Sequence, residues 1–317
     1  MFKLVVLAGA LAASVLPCVG QAFPQRTVQI VVPYPAGGIA DIQARVIAQR
    51  LSERWGQTVI VDNKSGGLTI PGTAAVAKAA PDCHTMLLSG LPVPLHAVSG
   101  RSLPYDTATQ LAPVSHITSV PNLLVVPASS AFQRLAELVD HAKRNPGKLT
   151  YGSTGIGGTS HLASELLAAA AGIEIVHVPY RGGAAAAADL IAGRVDMMFD
   201  SSSAENVSAG RLRALGETSE QRIKQFPDVP TIAEQGYPGF SASAWFAIWT
   251  TGGSPAACIA KLSGDINDVL KDETVQRRFA TLGASVVGTS PEEAARFLES
   301  ESKRWGDLIR QRGLKLE

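Results

Sequence analysis

Apolar residues along this chain come in short β-branched runs, each followed by a glycine-bearing turn and then by apolar positions at helical spacing. The first unit spans 28–51. Val28, Ile30, Val31 and Val32 form a nearly continuous apolar run, as in a strand covered on both faces within a parallel sheet. Pro33 and Pro35 end it, and Gly37 and Gly38 remove side chains where the backbone must bend. Ile39, Ile42, Val46, Ile47 and Leu51 then lay an apolar face along a helix, with Asp41 in its first turn. The first N–H groups of such a helix lack intrahelical partners and point out of the loop, which suits an anion. The same turn serves any α/β scaffold, so by itself it does not decide a function.

The pattern recurs. A strand is predicted over 58–61 and a polar turn over 62–67. An Ala-rich helix over 69–80 follows, beginning after Pro71 and Gly72, and then a strand over 85–89 that ends at Gly90. Residues 91–118 are rich in Pro, Ser and His and read as loops with one short helix. A buried strand over 122–127 and a helix over 132–144 come next. Residues 149–172 repeat the opening unit as strand LTYGS, loop TGIGG and a helix capped by Thr159 or Ser160 and ended by Gly172. A third version follows: a strand over 173–178, turn PYRGG, a helix over 184–193 and a buried strand VDMMFD.

After a further helix and a short strand near 212–215, SASAWFAIWTT reads as a strand whose Trp245, Phe246 and Trp249 pack a core or a hinge. Residues 255–317 read as two amphipathic helices separated by a short strand over 285–287. Strands alternating with helices imply a parallel sheet covered on both faces. In such sheets ligands bind at the carboxyl ends of the strands, where all three glycine turns must lie.

Composition narrows the class. The chain has 317 residues, 46% hydrophobic and 17% charged, enough for two domains with separate cores. Residues 1–22 read as a cleavable signal peptide: basic Lys3, an apolar stretch over 4–16, and small Gly20 and Ala22 at −3 and −1. That apolar run is shorter than the roughly 20 residues needed to span a bilayer. Removing the leader takes Lys3 from the 28 basic side chains and nothing from the 27 acidic ones, leaving a formal charge of zero. Nothing in this points to nucleic acid. Cys83 and Cys258 remain, and an oxidising compartment is compatible with either a disulfide or two buried thiols. The six histidines are scattered without metal-ligand spacing, so no metal is expected.

Enzyme signatures are lacking. In YGSTG, Tyr151 stands where the nucleophile elbow needs glycine. Gly155, Gly157 and Gly158 fit neither the dinucleotide fingerprint nor the Walker loop, so no cofactor is expected. Ser153 with His161 as base is the one conceivable catalytic pair, which keeps an exported hydrolase as a minor alternative. Asp41 either offsets the helix dipole or arranges the loop. Asp200, ending a very apolar strand, is placed in a cleft, and Arg181 is offered either to an acidic ligand, to Asp200 or to solvent.

The whole mature chain, in order, resembles the Bug family of extracytoplasmic solute-binding proteins of tripartite tricarboxylate transporter systems. The resemblance rests on VVPYPAGG with IAD, VIVDNKSGG, LPYD, VPNLLVVP, NPGKLTYGSTGIGGTSHLASELL, HVPYRG, VDMMFD, GRLRALGETS, PDVPTIAEQGYPGF, AWFAIW and SPEEAARFL. It implies a type II periplasmic binding protein-like α/β fold: two Rossmann-like domains joined by a two-strand hinge, with the ligand cleft between them. The expected domains are 23–121 with 244–317, and 122–243, with strands NLLVV and AWFAIW as the hinge.

The resemblance also implies that a small organic acid is held mainly by backbone N–H groups and ordered water between two loops. Here these match Tyr34, Pro35, Ala36, Gly37, Gly38 and Asp41 on one side, and Ser153, Thr154, Gly155, Gly158, Thr159 and His161 on the other. Ser89, Gly90, Arg181 and Asp200 would surround the rest of the ligand. The expected protein is a monomeric periplasmic receptor, not an enzyme, that delivers its ligand to membrane transporter subunits; docking on a sensor kinase is the alternative output. The chain departs from the family at Cys83, where glycine is common, and in GGLTIPG, where an Asn is common.

Overall fold

The structure, a computed structural model, describes residues 23–98, 100–219 and 221–316. The expected signal peptide lies outside the described residues. Strand β1 (Val28–Val32) leads through α1 (Ile39–Trp55) to β2 (Val59–Asn63), α2 (Ile70–Ala77) and β3 (Thr85–Ser89). Short helices α3 (Pro92–Val98) and α4 (Thr107–Gln110) and the long strand β4 (Leu111–Val120) complete this segment. The chain then builds β5 (Leu123–Pro127), α5 (Leu135–Arg144), β6 (Thr150–Ser153), α6 (Thr159–Ala171), β7 (Val176–Pro179), α7 (Gly183–Ile191), β8 (Met197–Asp200), α8 (Ala204–Ser208) and β9 (Leu212–Glu217). It returns as β10 (Ala244–Thr251), α9 (Ala256–Leu270), α10 (Glu273–Ala280), β11 (Ser285–Val286) and α11 (Pro291–Arg312).

These strands form two mixed sheets, one per lobe. The first has the order β11-β4-β10-β3-β1-β2 and the second β7-β6-β8-β5-β9. The plan is shared. β1 lies between β2 and β3 and runs parallel to both, and β6 is likewise parallel to β7 and β8. Next to each parallel set sits an antiparallel strand that has just arrived from the other lobe, β10 in the first sheet and β5 in the second. The buried run of β1 is thus explained: Val28, Ile30, Val31 and Val32 are buried in a strand paired along its length with β2 and over Gln29–Val31 with β3.

The chain passes between the sheets at 121–122 and at 218–243. Asn122 knits the two passages together. Its N–H donates to Thr218 Oγ1 (2.9 Å), its side-chain amide donates to the Ala242 carbonyl (2.6 Å), and its own carbonyl accepts from Thr218 N–H (3.0 Å). The strands expected at the hinge, NLLVV and AWFAIW, enter their sheets at Leu123 and Ala244, and Asn122, the first residue of NLLVV, lies in the passage itself.

Three other expectations change. Residues 111–118, expected as loop, belong to the strand Leu111–Val120, whose polar side chains have specific partners. Ser115 Oγ donates to Asn267 Oδ1 (2.9 Å) and Thr118 Oγ1 to Gln43 Oε1 (3.0 Å). Pro113 is tolerated because β11 pairs only with Thr118 and Ser119, leaving the outer edge open at that position. The first of the two expected C-terminal helices is broken at Asp272, whose carboxylate caps α10 by accepting from Thr274 N–H and Val275 N–H. Helix α2 starts earlier than expected, at Ile70, with Pro71 in its first turn.

Cys83 and Cys258 are joined by a disulfide with Cα atoms 6.5 Å apart, closing the alternative of two free thiols. Cys83 adopts φ +65°, a left-handed conformation that favours glycine. Glycine, which the resemblance leads one to expect at this position, would meet this backbone freely, and cysteine here trades that freedom for the cross-link. Replacing Cys83 with Ser should lower stability by about 2–5 kcal/mol. Cys83→Gly should recover roughly 1 kcal/mol of that loss by relieving the left-handed strain. Urea titration of the three proteins would show this order, and equal stability of the Ser and Gly variants would contradict it.

Candidate ligand-binding site

Strand register places the candidate residues. Ser89, the last residue of β3, pairs with Ala247 near the start of β10, and Val120 pairs with Ala244. Three residues later Leu123 opens β5 and pairs with Asp200, the last residue of β8. The carboxyl ends of the parallel strands in both sheets therefore lie beside the same crossing. Every glycine turn singled out in the sequence is at one of these ends.

In the first lobe, Tyr34 OH lies 3.3 Å from Ser89 Oγ, and its ring meets Phe246 edge-on at 6.2 Å. Burial raises the tyrosine pKa, so the phenol stays protonated at neutral pH. The Tyr34 carbonyl accepts from Asn63 Nδ2 (3.2 Å), and Asn63 Oδ1 accepts from Arg45 (3.1 Å). Pro35, Ala36, Gly37 and Gly38 are exposed, and Gly90 packs directly under the Trp245 carbonyl. The buried Asp41 carboxylate accepts from Gly37 N–H (2.8 Å) and from Arg45 Nε (3.0 Å) through one oxygen. Burial works against its charge, but Arg45, the Gly37 amide and Asn63 outweigh it and hold the pKa below the usual carboxylate range.

In the second lobe, Thr154 is exposed, and its N–H donates to Ser160 Oγ (2.9 Å). Gly157 N–H donates to His161 Nδ1 (3.1 Å), so this nitrogen is the unprotonated one. Ser153 has no accessible surface, and its Oγ lies 2.6 Å from His177 Nε2. This corrects the conceived Ser153–His161 pair. His177 is the partner of Ser153, while His161 is a buried residue committed to the loop backbone.

The two loops are built alike. Gly37 and Gly157 have φ +82° and +74°, followed by Gly38 and Gly158 as N-caps at φ/ψ −78°/170° and −73°/164°. In each, the N–H of the left-handed glycine is held by the side chain four residues on, Asp41 in one lobe and His161 in the other. No side chain caps α1 or α6. The N–H groups of Ile39 and Ala40, and of Thr159 and Ser160, have no bonding partner among the described residues. Each lobe thus presents a rigid helix start with free donors and a positive dipole end, a good seat for a carboxylate oxygen.

The third turn adds a side wall. A Cβ placed on Gly183 would lie 3.5 Å from Ser202 Oγ, 3.8 Å from Thr154 Cγ2 and 3.9 Å from Asp200 Oδ1, so these groups converge. Asp200 is buried and accepts from the hydroxyls of Ser202 and Ser203. Arg181 is exposed and pairs with no carboxylate among the described residues, so the offered Arg181–Asp200 pair is not formed. A cavity of about 990 Å³ opens beside the passages at Pro121 and Ser219, lined further by Arg222, Lys271, Gln276 and Ser285, and includes none of these strand-end residues.

A family profile described as "Tripartite tricarboxylate transporter family receptor" matches residues 43–314. The chain belongs to this family. Within it, Protein BugT of Bordetella pertussis is 36% identical over 305 residues, covering 95% of this chain and 94% of that one. The structure of R. palustris Rpa4515 with adipate superposes with a TM-score of 0.83 at 34% identity, covering 92% of this chain and 99% of that one. MatC (Rpa3494) from Rhodopseudomonas palustris with bound malate superposes at 0.79 and 29% identity, covering 90% and 100%. Family membership makes the two lobes those of a type II periplasmic binding protein, a fold of solute receptors. Among the described residues no helix is long and apolar enough to cross a membrane.

Sequence reasoning overlooked His177, Tyr151, Glu165, Asn63 and Arg45 behind the loops. The equal spacing of Gly37-Gly38 to Asp41 and of Gly157-Gly158 to His161 is the signal that could have revealed the shared clamp.

The clamp makes a pH prediction. Burial, and then the neighbouring His177, push His161 down to about 4, and burial does the same to His116. Both sit below the ordinary histidine value near 6.5, so the unfolded chain takes up protons first as pH falls. Stability should therefore be full above about pH 6.5 and be lost as pH falls toward 4, by on the order of 3 kcal/mol per histidine. Thermal melts of wild type and His161→Gln between pH 7.5 and 4.5 test this. The variant should show a shallower decline, and an equal slope would remove His161 from the account.

Proposed function

We propose that the protein is a periplasmic receptor that closes its two lobes on a small carboxylate and presents it to the membrane components of a tripartite transporter. The observation that carries this reading is the matched pair of glycine-clamped helix starts, one per lobe, at the same crossing. One ligand carboxylate would lie between 34–41 and 153–161, met by backbone amides instead of a cluster of cationic side chains. The rest of the ligand would extend past Ser89 and Gly90 toward Arg181, Ser202 and Asp200.

In this reading the domains divide as 23–121 with 244–317, and 122–243, after removal of a signal peptide over 1–22. The Asn122 passage serves as the hinge. Relatives solved with adipate and with malate support an organic acid of that size. A monomer suits a receptor that must offer both lobes to a membrane partner.

A thermal-shift screen of the leader-free protein against mono-, di- and tricarboxylates should find an acid that raises the melting point by a few degrees. At a hundredfold over Kd the stabilisation is about 2.7 kcal/mol. Gly158→Leu should abolish that shift while leaving the ligand-free melting point within a few degrees. Its Cβ would meet Thr154 Oγ1 at 3.1 Å and the Gly155 carbonyl at 3.3 Å, crowding the helix start itself. A full shift in the variant would refute the loop assignment, and no shift by any acid in wild type would refute the carboxylate.

A further inference from the structure

Helix α11 packs along the first lobe through most of its length, yet its last turn ends on the second. Arg312 Nε lies 3.0 Å from Glu165 Oε2 on α6, and Glu165 Oε1 accepts from Tyr151 OH at 2.7 Å. The carboxylate is buried between these two donors. The Tyr151 ring stacks on His177 with centroids 4.8 Å apart, and His177 stacks on His161 at 4.2 Å, with both interplanar angles near parallel. Each histidine then holds the second-lobe loop: His177 at Ser153 Oγ and His161 at Gly157 N–H. Beyond α11, the Leu316 side chain lies 3.7 Å from where a Cβ on Gly157 would stand, and the Leu316 carbonyl accepts from Arg101 of the first lobe.

We propose that Arg312 is a positioning residue for the loop 153–158, acting from the first lobe through Glu165, Tyr151 and the stacked histidines. The inference rests on the reading of that loop as a ligand seat. The physical link is charge. The titratable and charged groups about His161 are Tyr151 on β6, Glu165 on its own helix, His177 on β7 and Arg312 on α11. Glu165 favours the protonated form of both histidines. With Arg312 present the carboxylate is compensated, the histidines stay neutral, and His161 Nδ1 remains an acceptor for Gly157. Without it, a buried carboxylate lacks its counter-charge and draws a proton onto the stack, which removes that acceptor. Arg312 therefore matters for the loop only while residue 165 is charged.

Amide hydrogen exchange of Gly157 by NMR in the ligand-free protein at pH 6 tests this directly. Arg312→Leu should speed exchange at Gly157 and Thr154 about tenfold or more, while amides of β1 and β10 stay unchanged. Arg312→Lys should remain within about threefold of wild type. Glu165→Gln should make the Arg312→Leu change silent, because the buried charge is gone; this double variant also serves if Arg312→Leu alone folds poorly. Unchanged Gly157 exchange in Arg312→Leu, or an equal effect in the Glu165→Gln background, would overturn the proposal. Titration with adipate and malate separates this from the site reading. Faster Gly157 exchange with unaltered acid affinity would uphold the Arg312 coupling and overturn the loop as the ligand seat.

Discussion

A glycine N–H held by the side chain four residues downstream is the constraint on which both candidate loops depend. It fixes a left-handed glycine that few other residues could replace, and so sets the direction in which the following helix starts. Because the clamp consumes one donor, the next amides are left free and are also immobilised. A carboxylate meeting them would lose little in ordering the protein, which is how a site with few cations can still favour an anion.

The same geometry is reached with different electrostatics in the two lobes. Asp41 brings a full negative charge, which Arg45 compensates at the first-lobe surface. His161 brings a neutral acceptor, kept neutral by burial, with the compensating ion pair of Arg312 and Glu165 placed one layer deeper. The first-lobe loop is therefore insensitive to pH across the range where histidines titrate, and the second is the acid-labile half. Sheet register then brings the two halves to one crossing, since Ser89 and Asp200 are separated along the ladders by the short Ala247–Ala244 and Val120–Leu123 steps.

Much of this was legible in the sequence because it is written in local chemistry. The β-branched run 28–32, the paired glycines and the apolar helical faces announce the strand-turn-helix units without reference to the rest of the chain. Strand β4 was not legible, because its buried apolar positions Val114, Ile117 and Val120 do not form a run: they are interrupted by the equally buried but polar Ser115, His116 and Thr118. Their partners Asn267 and Gln43 lie far away in sequence, so polarity there reads as loop until the tertiary bonds are seen. The stack of Tyr151, His177 and His161 was hidden for the same reason. Its members sit on two adjacent strands and a helix, and Ser153 alone suggested the wrong histidine.

The disulfide joins two points that flank the entire second sheet, since every strand from β5 to β9 falls between Cys83 and Cys258. The second lobe is therefore the arc of a covalent ring whose closure lies wholly in the first. A protease that nicks any exposed turn of that arc leaves one molecule, with both fragments retained until the bond is reduced. A cut in the second lobe would therefore not release it.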